Sequence, residues 1–447
     1  MPAIPKKTVQ CARPPLAQRI FTGMAGLFLL VAILKFGTPV ILDWLVTPPE
    51  NFLAAVIESW QLKWGFRFVA VLLVGGLLAV RWKTASLSWS LALPLFWLGW
   101  QFLSAGQTVN AGLTAITLEH FTACVLLFYL GYFALRDVRN PWPVWLGLSL
   151  AVCCVIRVGF EQHFGGLEAT RQYIHSLKDS SVVPLELLQN PAYQKRLAGN
   201  RIFSTFSGYA NALAGCFVLL LPVTLAYLWQ LTPKVRPAIR WVFVAILAGC
   251  GLACLYWSGS KAGWLVALVL TMIALGHSTL SLKWKRGLIY GALVLGLAVF
   301  GIRNAKYFEK QNNSVGARFT YWRAALKIAE ADPFLGTGPG TFSILYANMK
   351  APEDEMARLC HNDYLEQACD SGLPGFFIYT GMIFTYLFAL YRYRAPQDSL
   401  NWLDFSLCLG ILGLCLHSLV EFHLYIPSLA WPMFFLLGLA LRRIHYR

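Results

Sequence analysis

Three kinds of residue in this chain could do chemistry: a histidine in a polar segment, arginines at the edges of apolar runs, and a lysine in a serine–glycine turn. The segment His361-Asn362-Asp363-Tyr364-Leu365-Glu366 runs on to Asp370-Ser371-Gly372-Leu373-Pro374-Gly375. A histidine here is a candidate general base. Asp363 and Glu366, three apart, have the spacing of a capping box with Asp363 as N-cap. The pattern predicts a helix to about Ser371, a stop at Gly372 and a restart with Pro374 in the first turn of the next helix. His361 then precedes a helix N-terminus, which favours a nearby phosphate.

The cations are scattered. Arg201 lies in Asn200-Arg201-Ile202-Phe203-Ser204-Thr205-Phe206, with Asn211 after it, and Lys261 closes Ser258-Gly259-Ser260-Lys261. Arg318 and Arg323 fall in a stretch that reads as an amphipathic helix from Arg318 to Ala331. A guanidinium forks two hydrogen bonds onto a phosphate, whereas a lysine offers a point charge. Arg201 also has a plainer reading, as an anchor to lipid headgroups at the bilayer boundary, and Lys261 one as a snorkelling lysine in a hairpin. The run Gly336-Thr337-Gly338-Pro339-Gly340 has no preceding strand and no following Lys-Ser/Thr, so it reads as a turn and not as a nucleotide loop. No Asp-x-Asp pair and no histidine pair has ligand spacing, so neither a metal nor a cofactor is expected. Cys360 and Cys369, if joined by a helix, stand about 13 Å apart, too far for a disulfide. Most other cysteines sit inside apolar runs as small hydrophobes.

The elements that carry these residues are greasy. Of 447 residues, 57% are hydrophobic and 13% charged, and the mean hydropathy is +0.56. Soluble domains carry about 25% charged residues. The fold class is therefore an all-α polytopic membrane protein in a single integral-membrane domain. The formal charge of +16 comes in short clusters between apolar runs, with no basic stripe interleaved with aromatics, so nucleic acid is not an expected partner. About twelve spans are expected, near 20–36, 66–80, 88–104, 113–135, 142–160, 206–229, 240–257, 262–277, 286–302, 374–391, 404–422 and 425–441. The first is read as a retained span, not a cleaved signal. The positive-inside rule puts both termini in the cytoplasm and two long loops, about 161–205 and 303–373, on the outer side. Every candidate residue lies in or beside those loops except Lys261, which is in an outer hairpin. Lys35, Glu119, Arg157 and Glu421 are the intramembrane charges.

These motifs, taken in order over roughly 200–440, resemble the O-antigen ligase and polymerase superfamily of bacterial inner-membrane glycosyltransferases. The resemblance rests on Arg201 to Asn211, Ser258 to Lys261, Arg318 with Trp322, the Pro333-to-Phe342 turn, His361-Asn362…Leu365…Gly372-Leu373-Pro374-Gly375, and Glu421…Pro427. Family members often carry Arg where Lys261 stands. The resemblance implies an undecaprenyl-diphosphate-linked glycan as donor and transfer to an acceptor hydroxyl at the periplasmic face, with inversion and without a metal. His361 would be the catalytic base, and Arg201, Arg318, Arg323 and Lys261 would bind the donor diphosphate, with Asn362 in support. The acceptor expected first is the lipid A core; another glycan or a protein Ser/Thr are the alternatives. From a different class, a transporter or flippase would place ionisable groups at mid-membrane, where Glu119 and Glu421 were the residues to watch.

Overall fold

The computed structural model describes residues 15–80, 88–136, 138, 140–176, 194, 198–278, 280–308, 314–352, 354–392 and 402–445. All regular structure among them is helical. The first half holds α1 Leu16–Lys35, α2 Phe52–Ile57, α3 Leu62–Ala79, α4 Leu93–Ser104, α5 Ala111–Tyr129, α6 Trp142–Glu161 and α7 Leu167–Ser176. The second holds α8 Ala210–Leu231, α9 Pro237–Ser258, α10 Lys261–His277, α11 Leu282–Phe308, α12 Ser314–Ala331, α13 Phe342–Met349, α14 Asp363–Arg392, α15 Trp402–His417 and α16 Pro427–His445.

Each of the twelve apolar runs contains a helix. Among the described residues, seven helices are long and apolar enough to cross a membrane: α1, α3, α5 with the turn that extends it, α6 running into α7, α8, α9 and α14. The shorter α10 and α15 are also apolar. Large apolar side chains on the outside of the bundle, such as Leu78, Val294 and Phe384, are 68–76% exposed. A soluble monomer does not tolerate so much open apolar surface; lipid covers it. The chain is a multi-pass membrane protein.

The centre is built from α8 and α16. Every residue from Pro427 to Arg442 is buried, so α16 is a core helix with no lipid face. It packs on α5 and α1, while α8 packs on α15 and α9. At one end, Arg442 donates to the carbonyls of Arg136 (3.1 Å) and Val138 (2.8 Å), and Arg443 pairs with Asp404 at the start of α15. Glu421 lies just past the other end of that helix, about 25 Å away at 1.5 Å per residue.

Two sequence expectations are corrected here. The N-cap of α14 is Asn362, not Asp363: its Oδ1 accepts from the amides of Tyr364 (3.0 Å) and Leu365 (3.1 Å). Both residue types cap well, and Asp363 is instead buried, accepting from the Leu424 amide. Glu421 is not within a spanning helix: it sits in the stretch 418–426 between α15 and α16, of which only His423–Tyr425 form a short 3-10 turn. Two local expectations hold. The helix from Asp363 breaks at Ser371 (φ −136°) and Gly372 (φ 69°) before continuing through Pro374. Gly336, Gly338 and Gly340 each take positive φ in a turn that seats against that break. Thr337 and Gly338 donate to the carbonyls of Cys369 and Asp370, and Leu373 donates to that of Pro333. A Cβ on Gly336 would lie 2.4 Å from the Cys369 carbonyl oxygen, so only glycine allows the seat.

Candidate active site

The site assembles around a carboxylate. Glu421 has a side chain only 4% exposed, and three donors from three distant parts of the chain converge on it. Arg318 on α12 and Asn211 in the first turn of α8 both bond Oε1. His361 places Nδ1 3.1 Å from Oε2. Burial alone would raise the Glu421 carboxyl, but the Arg318 guanidinium, with His361 beside it, outweighs burial and holds it well below the usual carboxylate range.

An ionised carboxylate only accepts, so the hydrogen between Glu421 and His361 belongs to Nδ1. The lone pair is then on Nε2, on the far side of the ring from Glu421. Aromatic rings fix the imidazole's plane: Tyr321 stacks on it at 5.8 Å and Phe422 meets it edge-on at 4.6 Å. The backbone is equally constrained. His361 adopts φ 58°, a left-handed conformation that costs a non-glycine residue on the order of 1 kcal/mol. It is pinned on both sides. Glu366 Oε2 accepts from the Cys360 amide (2.5 Å), and the Asp363 amide donates to the carbonyls of Ser418 (3.0 Å) and Glu421 (3.2 Å). The His361 carbonyl itself accepts from the Trp322 indole (3.4 Å).

Arg201 joins through Asn211. Its Nη2 donates to Asn211 Oδ1 (2.7 Å) and its Nε to the Ser258 carbonyl (2.6 Å). Two devices hold it there. Gln162, just past the end of α6, accepts the amides of Phe203 (3.0 Å) and Ser204 (2.7 Å), which fixes the segment after Arg201. Gly259, at φ 65°, leaves the turn bare where a Cβ would stand 3.1 Å from Arg201 Nε. Lys261 follows in the same turn as the first residue of α10, capped by Ser260.

Four of the six candidates thus meet in one network or frame it: His361, Arg318 and Arg201 through Glu421 and Asn211, with Asn362 as the cap that ends the His361 turn. Lys261 shares the turn that carries the Ser258 carbonyl. Arg323 does not join. It is exposed, five residues and about 140° around α12 from Arg318, on the face with Phe319 and Leu326. The sequence marks Glu421 as an intramembrane charge and gives it no role in the site, yet three of the site's donors converge on it. Its signal is an acid in an apolar stretch with no lysine or arginine near it in sequence, which has to be paired from elsewhere in the chain. Among the described residues, no group of three or more His, Cys, Asp and Glu is placed to share a metal ion.

The arrangement offers a proton acceptor at His361 Nε2, fixed by a carboxylate, beside two guanidiniums that carry one more positive charge than that carboxylate cancels. Such an arrangement suits taking a proton from a hydroxyl and binding a polyanion. No curated protein matches the chain. Residues 245–380 match the family described as O-antigen ligase. That segment holds Lys261, Arg318, Arg323, His361 and Asn362, while Arg201 and Glu421 lie outside it and reach the site through the fold. Residues 245–380 of this multi-pass membrane protein are similar to the O-antigen ligase family.

Proposed function

We propose that the protein is a glycosyltransferase at the periplasmic face of a bacterial inner membrane, both termini cytoplasmic. It moves a glycan from undecaprenyl diphosphate to an acceptor hydroxyl, with the lipid A core as acceptor. The observation that carries the reading is the hydrogen bond from His361 Nδ1 to Glu421 Oε2, with Arg318 on the same carboxylate.

In this reaction His361 Nε2 takes the acceptor's hydroxyl proton as its oxygen attacks the anomeric carbon. The bond from that carbon to the diphosphate breaks, the electron pair leaves with the diphosphate oxygen, and the configuration inverts. Glu421 stabilises the imidazolium that forms. Arg318 and Arg201 take up the charge that develops on the leaving group, a task for which fixed cations in a partly desolvated site are well suited. In this reading no metal is needed, because guanidiniums supply the charge.

Reconstituted protein given purified lipid-linked glycan and, separately, lipid A core, a glycan chain and a Ser/Thr-containing protein tests the reading. A new glycolipid from the lipid A core is the expected product. Product from a different acceptor would replace the ligase assignment with polymerase or protein glycosylation. No conjugate with any acceptor would remove the transferase reading.

A further inference from the structure

Behind His361, two carboxyl groups are buried with no cation to answer them. Glu366 and Asp370 stand one turn apart on α14, both 0% exposed. Each has one satisfied oxygen. Glu366 Oε2 accepts from the Cys360 amide (2.5 Å), while Asp370 Oδ2 accepts from the Gly340 amide (2.8 Å) and the Tyr425 hydroxyl. Each also has one oxygen without a partner, Glu366 Oε1 and Asp370 Oδ1. Asp370 is the strongest charged neighbour of Glu366. Among the described residues, no ion pair reaches either group.

The titratable groups facing them are all acidic or neutral. On α14 these are Asp363 and Cys369; from the preceding segment comes Cys360, and from the turn after Glu421, Tyr425. The neighbouring α4 contributes Gln101 and Ser104, bonded to the Ser371 hydroxyl and the Asp370 carbonyl. Beside α14, α12 offers the Ala325 carbonyl to Cys369, and the glycine turn brings the Gly340 amide. Two full negative charges in such a pocket carry a large desolvation cost, and two orphan acceptors on side chains one helical turn apart are short of one donor.

We propose that Glu366 and Asp370 share one proton, held between Glu366 Oε1 and Asp370 Oδ1, and that the pair positions His361. Asp370 is the ionised partner, since two donors already converge on its other oxygen. Glu366 carries the proton on Oε1 while its Oε2 holds the Cys360 amide, the residue before His361. The pair therefore ties three strands of the site together: the His361 turn through Cys360, the glycine turn through Gly340, and the chain after Glu421 through Tyr425. Neither carboxyl touches the reacting atoms; both are positioning residues. The positioning half of the proposal rests on the transferase reading, and the shared proton does not.

The test uses the full-length protein in two arms. In the first, reversible unfolding in detergent is followed at pH 6, 7 and 8 for the wild type and Glu366→Gln. The folded wild type holds a proton that its unfolded chain, with both carboxyls ionised, has released. Its folded-to-unfolded ratio should therefore carry a fall of about tenfold per pH unit that the Gln chain lacks, because the amide supplies the donor permanently. Equal slopes in the two proteins would overturn the shared proton. A wild-type slope set by Na⁺ or K⁺ concentration at fixed pH would overturn it too, in favour of a bound cation. In the second arm, glycan transfer by Glu366→Gln should stay within about threefold of wild type while Glu366→Ala, which leaves the Cys360 amide buried and unpaired, loses tenfold or more. Equal loss in both variants would overturn the positioning role. A wild type with no transfer activity would count against the transferase reading alone, since the unfolding arm is independent of it.

Discussion

Replacing Glu421 by Gln changes one oxygen to an amide nitrogen and alters almost no volume, yet three donors depend on that carboxylate. Arg318 and Asn211 share Oε1 and His361 takes Oε2. If the amide nitrogen faces His361, it donates to Nδ1. The ring hydrogen then moves to Nε2 and the lone pair is lost from the side that must accept a proton. If the nitrogen faces the other way, it meets two donors, and Arg318, 16% exposed, loses its counter-charge. Breaking a buried pair by removing one partner costs about 3–5 kcal/mol. Turning a carboxylate-oriented histidine into the wrong tautomer costs about 10⁴ in kcat in a serine protease triad. Glu421→Gln is therefore expected to lower the rate of glycan transfer by about 10²–10⁴ at saturating donor and acceptor. Initial rates in proteoliposomes, normalised to protein inserted, measure it. A Gln variant with more than a third of the wild-type rate would refute the idea that Glu421 orients His361.

Other consequences are sharper on position than on size. Arg318→Lys keeps the charge but loses the fork, and transfer should fall by about tenfold with part of the loss in donor KM; an unchanged KM would mean that Arg318 serves only Glu421. Arg323→Ala should leave transfer within about twofold, as surface changes away from a site usually do, and a large loss would show that the exposed face of α12 carries substrate. Because the folded-state pKa of Glu421 is depressed, its contribution to stability is fully present above the unfolded carboxyl range and is lost as pH falls through the folded value. The difference in thermal stability between wild type and Glu421→Gln should not shrink from pH 7 to about 5 and should be lost only below about 4. A difference already lost at pH 5.5 would contradict the Arg318–Glu421 pairing. Gly336→Ala, with φ 66° and its new Cβ against the Cys369 carbonyl, should destabilise the protein by about 1–3 kcal/mol in thermal melts; a neutral change would mean that the turn does not seat on the α14 break.

Much of this was legible in the residues. The helix break at Gly372 follows from glycine's access to positive φ and from the proline that restarts the helix. The glycine turn was read as a turn because nothing around it made a nucleotide loop. Three cationic or basic residues from three distant stretches, Arg201, Arg318 and His361, do converge. What was hidden has physical reasons. Residues 418–422 read as the end of one apolar span and 425–426 as the start of the next, because Leu419, Val420, Phe422, Leu424 and Ile426 surround Glu421 and only Ser418 marks a turn. The irregular backbone there is set by tertiary bonds, such as the Leu424 amide on Asp363, which no local pattern announces. Arg318 and Arg323 could not be told apart, since α12 buries Tyr321, Ala324, Ala325 and Ile328 while exposing Phe319 and Leu326. The contrast between its faces is too slight to say which arginine turns inward. Asn362 and Asp363 are adjacent residues of equal capping ability, and only the amide geometry separates them.

The central claim is that His361, fixed by Glu421, takes the acceptor proton while Arg318 and Arg201 hold the donor diphosphate. Single-turnover transfer in proteoliposomes, with lipid-linked glycan pre-bound and lipid A core added, tests it most directly. His361→Ala should still bind the lipid-linked donor with near wild-type affinity but transfer at least about 10²-fold more slowly, the lower end of a general base's contribution. Transfer by His361→Ala at the wild-type rate, with donor fully bound, would contradict it.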